Sequence, residues 1–185
     1  PRRELTYMQV IDGKKIAADI LLRLKAQKTP QKTLAAILVG DDPASVSFIK
    51  QKEKTAKELG VDFKVYAFDQ SIREENLIKE VENISKMDSV GGVIVQLPLP
   101  QGMNRQRILN AIPSEKDVDI LSEKAQEAFR MGVNPILPPS VGVLSEILLT
   151  THYPLHTSRA AVVGLGFLVG KPISEWLKGN PTKSS

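Results

Sequence analysis

Apolar positions along the chain follow two alternating rhythms. Ile16, Ile20, Leu21 and Leu24 recur at helical spacing after an Ile11-Asp12-Gly13 turn, and Thr29-Pro30 stops that helix. Leu34 to Val39, LAAILV, is a continuous apolar run closed by Gly40-Asp41-Asp42-Pro43, the pattern of a buried strand entering a loop. Ala44 to Leu59 returns to the helical rhythm and ends at Gly60, after which Phe63 to Phe68 alternates as a second strand. Ile72 to Met87 predicts a charged amphipathic helix, and Gly92 to Gln96, GVIVQ, a third strand broken by LPLPQG. Strands alternating with helices predict an α/β fold of three-layer βαβ type, with a parallel sheet covered on both faces. Ligands of such sheets collect outside the carboxyl ends of the strands.

The second half is less regular. Asn104 to Ile112 predicts a short helix, Pro113 opens the loop SEKDVDI, and Leu121 to Met131 predicts another helix. Asn134 to Pro139 is proline-rich and reads as an inter-domain connection, followed by a helix over Val141 to Leu149. Ala160 to Val163 is expected to be a strand running into Gly164-Leu165-Gly166-Phe167-Leu168-Val169-Gly170-Lys171-Pro172, with a helix continuing through Trp176. The closing GNPTKSS is expected to be disordered.

Three features break the apolar pattern in ways that carry chemistry. On the helix from Ala44 to Leu59, Ser45, Phe48, Ile49, Ala56 and Leu59 fall on one stripe with Lys52 in its middle, while Lys50, Lys54 and Lys57 point away. Lys52 must either snorkel to an edge or occupy a partly desolvated site suited to proton transfer. Gln96 ends an apolar strand, where it either satisfies a buried backbone group or faces a ligand. Asp117 and Asp119 are either loop carboxylates that cap or turn the chain, or acceptors for a ligand with paired N–H donors. Further on, strand, G-x-G-x-x-x-G and helix form the setting of a dinucleotide fingerprint, whose alternative is a structural turn. His152 and His156 have a metal-like interval, but Pro154 breaks the helix that would align them, so both read as surface loop residues and no metal is expected.

Composition narrows the classes. At 185 residues and 42% hydrophobic, the chain can hold one complete domain and part of another. It contains no cysteine, which excludes thiol nucleophiles, disulfides and cysteine-ligated metals. No apolar run reaches the length of a membrane span, so a membrane partner is not expected and a cytoplasmic location is. The net charge of +4 is already present in the first thirty residues, and no aromatic-plus-basic platform accompanies it, so nucleic-acid binding is not expected.

Taken together, IDGKKIA at Ile11 to Ala17, VGDDPAS at Val39 to Ser45, KTAKELGV after Lys52, GVIVQLPLP at Gly92 to Pro100, PSEKDVD at Pro113 to Asp119 and VVGLGFLVGKP at Val162 to Pro172 resemble one family. It is the bifunctional methylenetetrahydrofolate dehydrogenase/methenyltetrahydrofolate cyclohydrolases. The resemblance implies a folate-binding catalytic domain over residues 1–120, followed by an incomplete Rossmann-type nucleotide domain over 121–185, with the active site between them. It implies Lys52 as the acid/base group, Gln96 as the residue that adjusts it, and Asp119 as the holder of the pterin. Phe48, Ser45 and Leu97 are implied as further substrate-binding residues, and Gly164, Gly166 and Gly170 as binding NADP, with NAD possible. The implied reactions are hydride transfer from 5,10-methylenetetrahydrofolate to NADP and hydrolysis of the methenyl product to 10-formyltetrahydrofolate. The family is usually dimeric.

Departures from the family pattern carry their own expectations. Phe48 stands where the family usually has tyrosine, keeping an aromatic face and losing a hydroxyl used in proton handling. Ile120 stands at a usual glycine, ILPPSVG replaces a Pro-Cys-Thr-Pro-type stretch, and Gly164-Leu165-Gly166 lacks the basic residue of Gly-Arg-Ser. Because much of the nucleotide domain is missing, weak or absent dehydrogenase activity is expected. The alternative reading is a non-catalytic remnant that binds folate or a partner.

Overall fold

The computed structural model describes residues 10–155 and 158–179. Its elements run α1 (Gly13–Lys25), β1 (Thr33–Val39), α2 (Pro43–Glu58), β2 (Phe63–Phe68), α3 (Glu74–Lys86), β3 (Val90–Val95), α4 (Arg105–Leu109), α5 (Glu123–Arg130), α6 (Pro139–Thr150) and α7 (Gly170–Gly179). The three strands form one parallel sheet in the order β2-β1-β3. Within it Ala36 lies beside Val65 on one neighbour and Ile94 on the other.

Side chains alternate across β1 and so divide the core into two layers. Ala35, Ile37 and Val39 join Val93 and Val95 against Leu77, Val81 and Ile84 of α3 and Ile108 and Leu109 of α4. Ala36, Leu38 and Ile94 face the other way, against Ile49 of α2. The expected three-layer arrangement is present, with the α2 side the more thinly covered.

Local signals set the ends of the helices. Asp12 caps α1 by accepting from the backbone N–H of Lys14 and Lys15, at 3.0 and 3.1 Å. Asp42 caps α2 through the N–H of Ser45 at 2.8 Å, with Pro43 in the first turn and Gly60 beyond its end at φ +70°. Lys116 Nζ donates to the carbonyls of Ser85 and Met87, at 2.7 and 3.1 Å, and so closes the C-terminal end of α3.

One expected element does not form. Residues 158–163 adopt no strand, and Val163 is 98% exposed. A strand requires a neighbour for its backbone N–H and C=O groups, and among the described residues none lies alongside this segment. The α4 helix is also shorter than the Asn104 to Ile112 pattern suggests, because the chain turns at Asn110 to reach the loop beside β3. His156 and residues 180–185 lie outside the described residues.

The core assignment has a direct test. Leu77 is fully buried, so Leu77→Ala is expected to lower unfolding stability by about 2–5 kcal/mol. Val143→Ala, on the exposed side of α6, should change it by no more than about 0.5 kcal/mol. Urea unfolding of the two variants measures both, and equal losses would contradict the layering.

Candidate active site

Parallel strands deliver their carboxyl ends to one edge, and three predicted residues meet there. Lys52 lies half-buried on α2, and its Nζ donates to Gln96 Oε1 at 3.0 Å. Gln96 follows β3, and its backbone N–H donates to the Ile37 carbonyl at 2.9 Å, extending the ladder by one residue. Its Nε2 donates to the Leu97 carbonyl at 2.7 Å, which leaves Oε1 as the group that meets the ammonium. The sheet therefore aims the amide, and the amide anchors the lysine.

The two aspartates have different tasks. Asp117 is 2% exposed and accepts the backbone N–H groups of Leu121 and Ser122, at 3.0 and 2.7 Å. It is a structural carboxylate that ties the loop down, helped by the bond from Val93 N–H to the Lys116 carbonyl at 2.8 Å. Asp119 instead lines a cleft with Lys52. Burial pushes its pKa above the ordinary carboxylate value, opposed by the positive charge of Lys52 and reinforced by the negative charge of Asp117. Between the carboxylates and α5, Ile120 holds φ +56° while 2% exposed. A β-branched residue in this region carries strain of about 1–2 kcal/mol, offset here by the burial of its side chain.

The cleft has a volume of about 240 Å³ and is bounded by Lys52, Asp119 and Ile120 on one side. Phe167, Leu168 and Glu175 close it from the glycine turn and α7. Beyond Lys52, a second cavity of about 490 Å³ runs along α2 past Phe48, Gln51 and Thr55. Lys52 thus stands between two openings. Phe48 lies in the second and is 54% exposed, so it is a wall of that cavity and does not share the apolar core with Ile49.

Ser45 and Leu97, expected to bind substrate, line neither of these two openings, nor does Gln96. Ser45 is buried at the start of α2, where its N–H serves the Asp42 cap, and Leu97 packs into the larger core layer while its carbonyl accepts from Gln96. Pro138, Pro139, Gln126 and Phe129 were not anticipated as lining residues, although the proline run was visible as a boundary. Gln126 Nε2 donates to the Leu121 carbonyl at 2.8 Å, a contact that no spacing in the sequence announces.

The glycine turn is tightest where Gly164 and Gly170 meet. Gly164 takes φ +87°, and a Cβ at Gly170 would fall 1.8 Å from the Gly164 carbonyl oxygen, so only glycine fits at position 170. Gly166 has open space around it and accepts the N–H of Lys171 at 3.1 Å. The turn leads into the N-terminus of α7, a favourable place for an anion. Leu165 is exposed and brings no charge. Among the described residues no group of three or more His, Asp or Glu side chains is placed to hold a metal ion, and no helix is long and apolar enough to cross a membrane.

The sequence pattern described as "Tetrahydrofolate dehydrogenase/cyclohydrolase, catalytic domain" matches residues 11–119 of this chain. The chain belongs to that family. A relative named bifunctional protein FolD, from Clostridium perfringens, is 33% identical over 181 residues, covering 94% of this chain and 65% of the relative. Among solved structures, the methylenetetrahydrofolate dehydrogenase/cyclohydrolase of Campylobacter jejuni matches with a TM-score of 0.84 and 31% identity, over 91% of this chain and 62% of that one. The 5,10-methylenetetrahydrofolate dehydrogenase of the silkworm Bombyx mori matches with a TM-score of 0.86 and 32% identity, over 92% and 61%. The chain therefore spans somewhat under two thirds of the family members it matches.

The partly buried carboxylate of Asp119 is expected to give this family member a pH signature. Its folded-state pKa is raised, so its contribution to stability is fully present below the ordinary value of 3.8 and is lost as pH rises through the folded value. Asp119→Asn is thus expected to melt above the parent protein at pH 7, with the gap closing as pH falls toward 4. Thermal melts across that range measure it, and a parent protein more stable than the variant at pH 7 would contradict the sign.

Proposed function

We propose that this chain binds a reduced folate in the cleft at Lys52 and serves the interconversion of 5,10-methylene-, 5,10-methenyl- and 10-formyltetrahydrofolate. The observation that carries this reading is the meeting of Lys52, Gln96 and Asp119 at one end of a parallel sheet, facing a glycine turn. Asp119 offers two carboxylate oxygens to the paired N–H donors of a pterin, and Phe48 offers an aromatic wall to a second ring of the ligand. Residues 1–120 form the folate half in this reading, and residues from 121 onward begin the nucleotide half.

Lys52 is the proton-handling group. Its ammonium has three donors, of which Gln96 takes one, leaving the others for the cleft. In the hydrolytic step, water adds to the methenyl carbon and loses one proton to solvent, and the carbon–nitrogen bond at N5 then breaks as the remaining hydroxyl proton passes to that nitrogen, leaving the carbon as a formyl group on N10. Both transfers occur beside Lys52, which fixes the amine on one side while Gln96 keeps it from folding back on α2. A nicotinamide dinucleotide, NADP or NAD, would rest its pyrophosphate on the turn of Gly164, Gly166 and Gly170, and when bound it supplies the hydride acceptor of the oxidative step. Leu165 brings no cation for a 2′-phosphate, which supports NAD alongside NADP.

Hydrolysis tests the reading without a nucleotide. The protein is expected to speed the loss of methenyltetrahydrofolate absorbance, and Lys52→Met should reduce that rate by about 100-fold or more. Unchanged hydrolysis in the variant would overturn the role given to Lys52. Folate binding with no hydrolysis in the parent protein would favour the non-catalytic reading instead.

A further inference from the structure

The glycine turn is exposed along most of its length. Val163, Leu165, Leu168 and Val169 all present apolar side chains to solvent. Phe167 is the exception. Its ring packs against the larger core layer of the βαβ unit, and on its face lies the guanidinium of Arg105, 3.8 Å from the ring centroid. Arg105 opens α4 and Phe167 borders the Lys52 cleft, so this one stacked pair joins the turn to the α3 and α4 side of the sheet.

We propose that Arg105 and Phe167 form a latch that positions the glycine turn over Lys52, sets the width of the cleft and thereby sets its affinity for ligand. Arginine suits this task because its planar guanidinium stacks flat on a ring, which a lysine ammonium does not do. Phe167 contributes twice, once as an apolar anchor in the core and once as the face on which the cation rests. A second contact lies on the same seam, where Arg130 of α5 stands 3.8 Å from Glu175 of α7. Arg130 is exposed and Glu175 half-buried, and the contact is too long for a hydrogen bond, so it aids docking of α7 without fixing the turn. Arg105 and Phe167 are positioning residues, since Arg105 acts on the cleft through the ring it covers.

The ligand side of this proposal rests on the folate reading, whereas the seat of the turn does not. The chain has a single tryptophan, Trp176 of α7, half-buried beside Phe129 and Arg130, and its emission reports how α7 and the turn sit. With 5-formyltetrahydrofolate as the probe, Arg105→Ala is expected to weaken binding about 5-fold and to shift Trp176 emission to longer wavelength. Phe167→Leu keeps an apolar side chain at the core contact and removes the ring face, so it should give a similar loss. The double variant should be no worse than either single one, and Arg105→Lys should recover part of the affinity. Additive losses, or an Arg105→Ala protein unchanged in both readouts, would overturn the latch. Failure of the parent protein to bind the probe would count against the folate reading alone, and Trp176 emission of the unliganded variants would then decide the latch.

Discussion

The ammonium of Lys52 lies on the apolar side of α2, and it is accommodated there because Gln96 Oε1 accepts one of its protons at 3.0 Å. That acceptor is fixed by the sheet itself. The Gln96 N–H bonds to Ile37 on the central strand, and its side-chain N–H group is taken by the next carbonyl, so rotation of the amide would break a short hydrogen bond. A slip of one residue in the pairing of β1 with β3 would turn Gln96 to the opposite face and leave a cation on the core with no partner. The register of the parallel ladder and the site's chemistry are therefore one constraint.

The opposite wall of the cleft is held by a different means. Lys116 reaches across to the end of α3, its own carbonyl takes the N–H of Val93, and Asp117 gathers the N–H groups of Leu121 and Ser122. These bonds force the chain to reverse just after Asp119, and Ile120 accepts a left-handed backbone to do so. Its buried side chain supplies apolar contact that a glycine would not, which compensates for conformational strain. The result is a carboxylate presented to the cleft from a loop with little freedom to retreat.

Much of this was legible in the sequence, for reasons that differ by residue. Lys52 stood out because helical periodicity places it on a stripe of apolar neighbours, and Gln96 because it ends an apolar strand at the edge where ligands collect. The residues alone do not separate Asp117 from Asp119, since two carboxylates in one loop have the same local pattern; the family resemblance singles out Asp119, and the fold shows that Asp117 is the one that meets backbone N–H groups. Phe48 was placed on the apolar stripe, but periodicity does not reveal that the α2 layer ends before it and leaves a cavity. Ala160 to Val163 has the composition of a strand, yet strand formation is a property of pairs, and among the described residues no neighbour is present. The Arg105–Phe167 stack joins positions far apart in sequence, of which only Phe167 lies in a motif, so nothing local announced the pair.

Burial and attraction compete at Asp119, and the outcome bears on what the cleft accepts. In the free protein, desolvation outweighs the attraction of Lys52, so the charged carboxylate is less comfortable than it would be in water. A ligand that brings paired N–H donors supplies the hydrogen bonds that water no longer does, and these favour the charged form. Binding then pulls the carboxylate pKa back down and releases a proton wherever the free site was partly protonated. A ligand offering only acceptors would have the opposite effect, keeping the proton on Asp119 and gaining one weaker, neutral bond. Partial burial of Asp119 thus makes the direction of a ligand's hydrogen bonds count for more at this carboxylate than it would in water.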